Sequence, residues 1–195
     1  MDTKQLLQRG LILEYITLGW NVVGCAVAVW AGVAAASLAL FGFGIDSAIE
    51  IFASVVVVWQ LHATHKENEK LALRLIGGAF MLLSLYLLVR SVQVLMEQVH
   101  PQTSIIGGVW LLVTAIAMFS LAYGKRIVGT QLKNAVLLEE AVVTVVDGFL
   151  ALAILIGVLL NALAGWWWAD ATASIVLAIV SIREALHIFH GEHGT

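Results

Sequence analysis

Apolar and polar residues do not alternate along this chain. They separate into six long apolar blocks divided by short polar stretches. The blocks lie at about residues 11–33, 38–61, 71–96, 104–123, 134–160 and 166–189. Each approaches or exceeds the roughly 20 residues an α-helix needs to cross the hydrocarbon of a bilayer. The breaks carry turn chemistry. Small residues from Gly32 to Ser37 mark the first, HATHKENEK the second and EQVHPQT with Pro101 the third, while YGKRIVGTQLK ends at Lys133 and NALAG is short enough for a tight turn. The pattern predicts an all-α integral membrane protein of six transmembrane helices. Residues 1–10 form a short polar segment suited to the membrane surface, residues 11–190 the membrane domain, and residues 191–195 a short tail with no soluble domain after it. A first block that is one of six also argues against a cleaved signal peptide.

Composition sharpens this picture. The chain is 61% hydrophobic and 12% charged, which excludes an ordinary soluble domain. The ten basic residues are spread over the polar stretches and make no nucleic-acid surface. Their placement sets the orientation. Lys4 and Arg9 precede the first helix, Lys66 and Lys70 lie in the second break beside Arg74, and Lys125, Arg126 and Lys133 lie in the fourth. Arg183 is near the C-terminal end, and the other three breaks contain no lysine or arginine. Both termini are therefore expected in the cytoplasm of a multi-pass protein of the cell inner (plasma) membrane. Trp166, Trp167 and Trp168 fall at the outer interface as an aromatic anchor. The single cysteine, Cys25, has no internal disulfide partner and reads as a small buried hydrophobe before it reads as a metal ligand.

The candidate chemistry sits where charge is most costly. Asp46 and Glu50 are one helical turn apart in SLALFGFGIDSAIEIFASVVVVWQL, and Glu139, Glu140 and Asp147 lie in NAVLLEEAVVTVVDGFLALAILIGVLL. A charged side chain at mid-bilayer costs about 2.5–3.5 kcal/mol on insertion scales. At a helical rise of about 1.5 Å per residue, Asp46 lies about 12 Å, Glu50 about 18 Å and Asp147 about 20 Å below the outer ends of their helices. Glu50 and Asp147 thus share a level near the midplane. Glu140 lies two turns nearer the cytoplasm, on the face that carries Thr144 and Asp147. Carboxylates this close in a dry volume either hold a divalent cation or share protons. Metal entry expels protons and proton entry weakens the site, which is what metal–proton exchange requires. Neutral carboxylates that merely hydrogen-bond helices together are the structural alternative.

SLALFGFGIDSAIE, EEAVVTVVDG and GWWWADATASIVLAIVSIREAL resemble the membrane domain of the cation diffusion facilitators, also called cation efflux proteins. The similarity is to the short, tail-less branch that includes a vertebrate vesicular zinc transporter, and it covers nearly all of residues 10–190. The resemblance implies a homodimeric six-helix carrier, not an enzyme, that moves zinc or a similar divalent ion against protons without a resident cofactor. It places the family's two helix-2 acids on Asp46 and Glu50, its last helix-5 aspartate on Asp147, and the acid before the ligand pair on Glu140. The family's helix-5 histidine position falls on Val143, which cannot ligate. Water, Thr144 or Glu140 would then complete the shell, or the ion is harder than zinc. The expected cargo is Zn2+, with Mn2+, Mg2+, Co2+ or Cd2+ as alternatives. With the family's usual cytoplasmic domain not expected, dimerisation would rest on the helices, where Gly77, Gly78, Gly107 and Gly108 permit close approach.

Other polar residues receive plainer readings. Glu139 is rotated about 100° from Glu140 and faces the cytoplasmic mouth or a partner helix. Asp170 reads as a helix-start residue, and Glu14 and Arg90 as residues that snorkel or meet local polar groups. His62, His65, His187, His190 and His193 fall on the cytoplasmic side, either as a metal-collecting entrance or as solvated loop residues. The rival functions are a divalent-cation channel and a non-transporting membrane scaffold with protonated carboxylates.

Overall fold

Six helices form where the six apolar blocks lie: α1 (Thr3–Ala35), α2 (Leu38–His62), α3 (Lys66–Glu97), α4 (Ile105–Leu132), α5 (Ala135–Ala164) and α6 (Trp168–Gly191). The structure is a computed structural model that describes the backbone of residues 3–62, 66–133 and 135–191. It describes the side chains of residues 4–52, 74–75, 77–133, 137–138 and 141–189. Among the described residues five helices are long and apolar enough to cross a membrane. α2 is described only in part. The chain is an all-α, multi-pass membrane protein.

Two boundaries differ from the sequence pattern. Residues 3–10 are not a separate surface segment but the first turns of α1, because Leu6 is buried and Gly10 approaches Leu137 and Val128. α4 does not stop near residue 123. LAYGKRIVGTQL keeps a buried stripe of Leu121, Ala122, Lys125, Val128 and Gly129 at helical spacing, and the helix ends only where Lys133 turns left-handed at φ 51°.

α1 packs most extensively on α2, α3 on α6, and α4 on α5. Leu40, Leu87, Leu111, Ile154 and Leu177 fill the core between them, all essentially without exposure. The α1–α2 approach requires a glycine. A Cβ at Gly32 would lie 2.4 Å from the Phe41 amide nitrogen. Gly32 is therefore a contact inside α1, and the turn proper is Ala36–Ser37, with Ala36 left-handed at φ 50°. The Ser37 N–H donates to the Gly32 carbonyl at 2.9 Å and closes the end of α1.

The two ends of the bundle differ in chemistry. At one end the three short connections are tied together. Gln102 N–H donates to the Ala35 carbonyl at 2.7 Å, and Asn161 Nδ2 donates to the Pro101 carbonyl at 2.8 Å. Asp170 of α6 receives the hydroxyl of Ser37 and the Leu38 N–H, the latter at 2.8 Å, so it caps α2 from another helix. Asp170 is thus a buried cap for α2 as well as a residue of the first turn of α6. At the other end, the start of α1 lies against the end of α4 and the start of α5, and Gly77 of α3 meets Phe189 near the end of α6. This end carries both termini.

Candidate metal site

α2 presents Asp46 and Glu50 to one small cavity, as their spacing of one turn predicts, and Asp147 of α5 lines the same cavity. α1 contributes Trp20, Asn21 and Gly24, and α4 contributes Trp110, Thr114 and Met118. The free volume is about 10 Å³, room for one water-sized sphere. Asp46 is buried at 7% exposure and sits close enough to Asp147 for the two charges to repel. Ser181 of α6 donates to Asp46 Oδ1 at 3.5 Å. Glu50 Oε2 accepts a hydrogen bond from Asn21 Nδ2 at 2.8 Å. The three carboxylates wall one space without converging, since among the described residues no three His, Cys, Asp or Glu gather closely enough to hold a metal ion.

Two indoles stiffen one wall. Trp20 and Trp110 stack with centroids 5.2 Å apart, and Trp20 Nε1 donates to Thr114 Oγ1 at 3.2 Å. Gly24 lies against the Trp110 ring, where a Cβ would sit at 3.6 Å, an ordinary van der Waals contact.

The remaining candidates fall elsewhere. Thr144 is buried on α5 but accepts a hydrogen bond from Lys125 Nζ at 3.3 Å, toward the end that carries the termini. Val143 is 42% exposed and is not among the residues that line the cavity, so a ligand at that position would point away from the acids. Cys25 is half-buried, free, and likewise not among the lining residues. The side chains of Glu139, Glu140, His62, His65, His190 and His193 lie outside the described residues, while His187 is exposed. Arg90 meets Gln93 Oε1 at 2.8 Å, a local partner, whereas Glu14 meets a distant one.

Two residues escape the charge pattern. Asn21 is neutral and therefore silent in a search for buried charge, although a lone carboxamide in an apolar helix carries the same kind of signal. Lys125 reads as a loop residue of a basic stretch. In the folded chain it has no exposed surface and pairs with Glu14 Oε2 at 3.1 Å. The spacing of Leu121, Lys125 and Val128 is the signal that would have placed it on a buried helix face.

The cation efflux transmembrane domain matches residues 15–190. Among curated proteins, transmembrane protein 163 of Xenopus laevis is 20% identical over 92% of this chain and 66% of its own length. The cadmium, cobalt and zinc/H(+)-K(+) antiporter of Bacillus velezensis is 26% identical over 64% of this chain and 39% of its own length. The chain thus spans slightly under two thirds of one relative and well under half of the other. With the match running from α1 through α6, and Asp46, Glu50 and Asp147 within it, the chain belongs to the cation efflux family.

Proposed function

We propose that this protein transports divalent metal cations across its membrane in exchange for protons, exporting them from the cytoplasm. The observation that carries the reading is the small cavity in an apolar bundle into which α2 and α5 bring three carboxylates. Charge in such a place is retained for a task. Family membership supports transport over catalysis, and the Bacillus velezensis relative is named as a cadmium, cobalt and zinc/H(+)-K(+) antiporter.

Asp46, Glu50 and Asp147 are the proposed ligands, with Asn21 able to add a carboxamide oxygen. Glu140 and Thr144 form the next polar step along α5. In the structure Glu50 is engaged by Asn21. Metal binding would draw Glu50 off Asn21 and toward the two aspartates, which repel one another until a cation lies between them. Zinc is the proposed cargo, but an oxygen-rich donor set discriminates less against manganese, magnesium, cobalt or cadmium than one with an imidazole. A homodimer packed through its helices belongs to the same proposal.

Coupling is tested in proteoliposomes. An imposed proton gradient is expected to drive metal uphill, because each entering cation must displace protons from the acids. Uphill movement that follows sodium and ignores pH would overturn the exchange. Downhill flux insensitive to the gradient would favour a channel, and the absence of any metal binding would favour a scaffold.

Orientation has its own test. In a Cys25→Ala background, Thr103→Cys should label from outside and Gln131→Cys should not; both positions are exposed at opposite ends of the bundle. Residue 129 is a poorer probe, because a Cβ there would crowd Leu138 at 3.1 Å. The reverse labelling pattern would put the termini outside and reverse the direction of export.

A further inference from the structure

Lys125 is a cation built into the interior of the bundle. It lies on α4 about two turns beyond Met118, on the stripe that carries Thr114 and Met118 to the cavity. Its partner Glu14 lies on α1 about two turns before Asn21, on the stripe that carries Asn21 to the same cavity. Lys125 Nζ also donates to Thr144 Oγ1, one turn before Asp147 on α5. The three helices that wall the cavity beside α2 therefore converge a second time, about 10 Å nearer the end carrying the termini. That second meeting point is polar and already filled by an ammonium, with Lys125 fully buried and the Glu14 side chain 38% exposed. Glu14 also keeps a spare acceptor oxygen there. Its Oε1 is buried and has no hydrogen-bond partner among the described residues.

We propose that Lys125 is a tethered cation that closes the route between the cavity and the end of the bundle carrying the termini. The route opens when the ammonium leaves Glu14. An ammonium and a divalent metal compete for the same carboxylate and hydroxyl oxygens, so the lysine occupies the place an arriving ion must pass. The free Glu14 oxygen offers that ion a first contact before the lysine is displaced. The carrier then avoids a continuous open path, because the inner station holds either its own lysine or the cargo. This inference rests on the metal-transport reading above.

A labelling experiment separates the two. Met118 is buried in the cavity wall, and Met118→Cys in a Cys25→Ala background gives a thiol there. In oriented membranes an impermeant maleimide, applied from the side of the termini, should react slowly with this thiol. Adding Lys125→Met should speed labelling by about tenfold or more, the factor that each 1.4 kcal/mol of lost closure produces. Removing one partner of a buried pair also threatens folding, so the deciding variant is Glu14→Gln with Lys125→Met, which leaves no uncompensated charge. If the lysine is a gate, the neutral pair labels as fast as Lys125→Met. If the pair only neutralises a buried carboxylate, the double variant returns to the slow rate, and the proposal falls. Failure of the neutral pair to fold would overturn it as well, because the pair would then be a structural requirement. Labelling needs no metal. Fast labelling without any metal flux in the parent protein would sink the transport reading and leave the closed route standing.

Discussion

Asp147→Asn is expected to remove metal flux almost entirely while leaving the helices folded. Asparagine keeps the shape and one oxygen of the aspartate but deletes a full charge beside the proposed cation. At about 4 Å and the effective dielectric of a partly buried site, one unit charge is worth about 4 kcal/mol, or about a thousandfold in binding. The same substitution relieves the repulsion between Asp147 and Asp46, so it should not unfold the bundle. Glu50→Gln should behave alike, since its remaining oxygen can still accept from Asn21 Nδ2. Asn21→Ala should cost less, because it removes a neutral group that positions Glu50 and can add at most one uncharged oxygen. Zinc uptake into proteoliposomes measures the effect, with size-exclusion chromatography and circular dichroism confirming folded protein. Near-normal flux in both charge-removing variants would remove the carboxylates from the transport site.

The sequence exposes the acids because its surroundings make them anomalous, and the same logic explains what it hides. Asp46, Glu50 and Asp147 stand out in runs of apolar residues, and the structure brings all three to one cavity. Lys125 does not stand out, since it follows Gly124, precedes Arg126 and looks like part of a basic loop. Only the continuation of α4 to Leu132 buries it; the spacing of Leu121, Lys125 and Val128 is the one local trace of that face, and contacts with α1 and α5 decide it. Register shows a similar limit. Val143 is one turn before Asp147, so spacing alone puts both on one face, yet Val143 is 42% exposed. The edge of a helix stripe is set by which neighbours cover it, and that is decided by packing. Residues 3–10 read as a polar surface segment because Lys4, Gln5, Gln8 and Arg9 dominate them, while one buried leucine, Leu6, anchors the turn.

Asp170→Ala is expected to destabilise the protein by about 2–5 kcal/mol, the cost of lost capping and of buried donors left without an acceptor. Asp170 is 3% exposed, and its carboxylate receives the Ser37 hydroxyl, the Leu38 N–H and, at a longer 3.4 Å, the Ala39 N–H. These are the first donors of α2, which has no acid in its own first turn. A carboxylate from α6 therefore supplies both the acceptor and the negative charge that the positive end of α2 favours. Alanine leaves the donors facing an apolar interior. Asparagine keeps one acceptor but turns an amide donor toward groups that are themselves donors, so it should cost less than alanine and more than the wild type. The loss should reach the site, because α2 carries Asp46 and Glu50 below that cap, and the Ser181 contact from α6 to Asp46 is long. Thermal unfolding in detergent should rank wild type above Asp170→Asn and Asp170→Ala lowest, with flux falling in the same order. A ligand on the ion route would behave differently. If Asp170→Asn weakened metal binding at unchanged stability, Asp170 would belong to the pathway rather than to the cap.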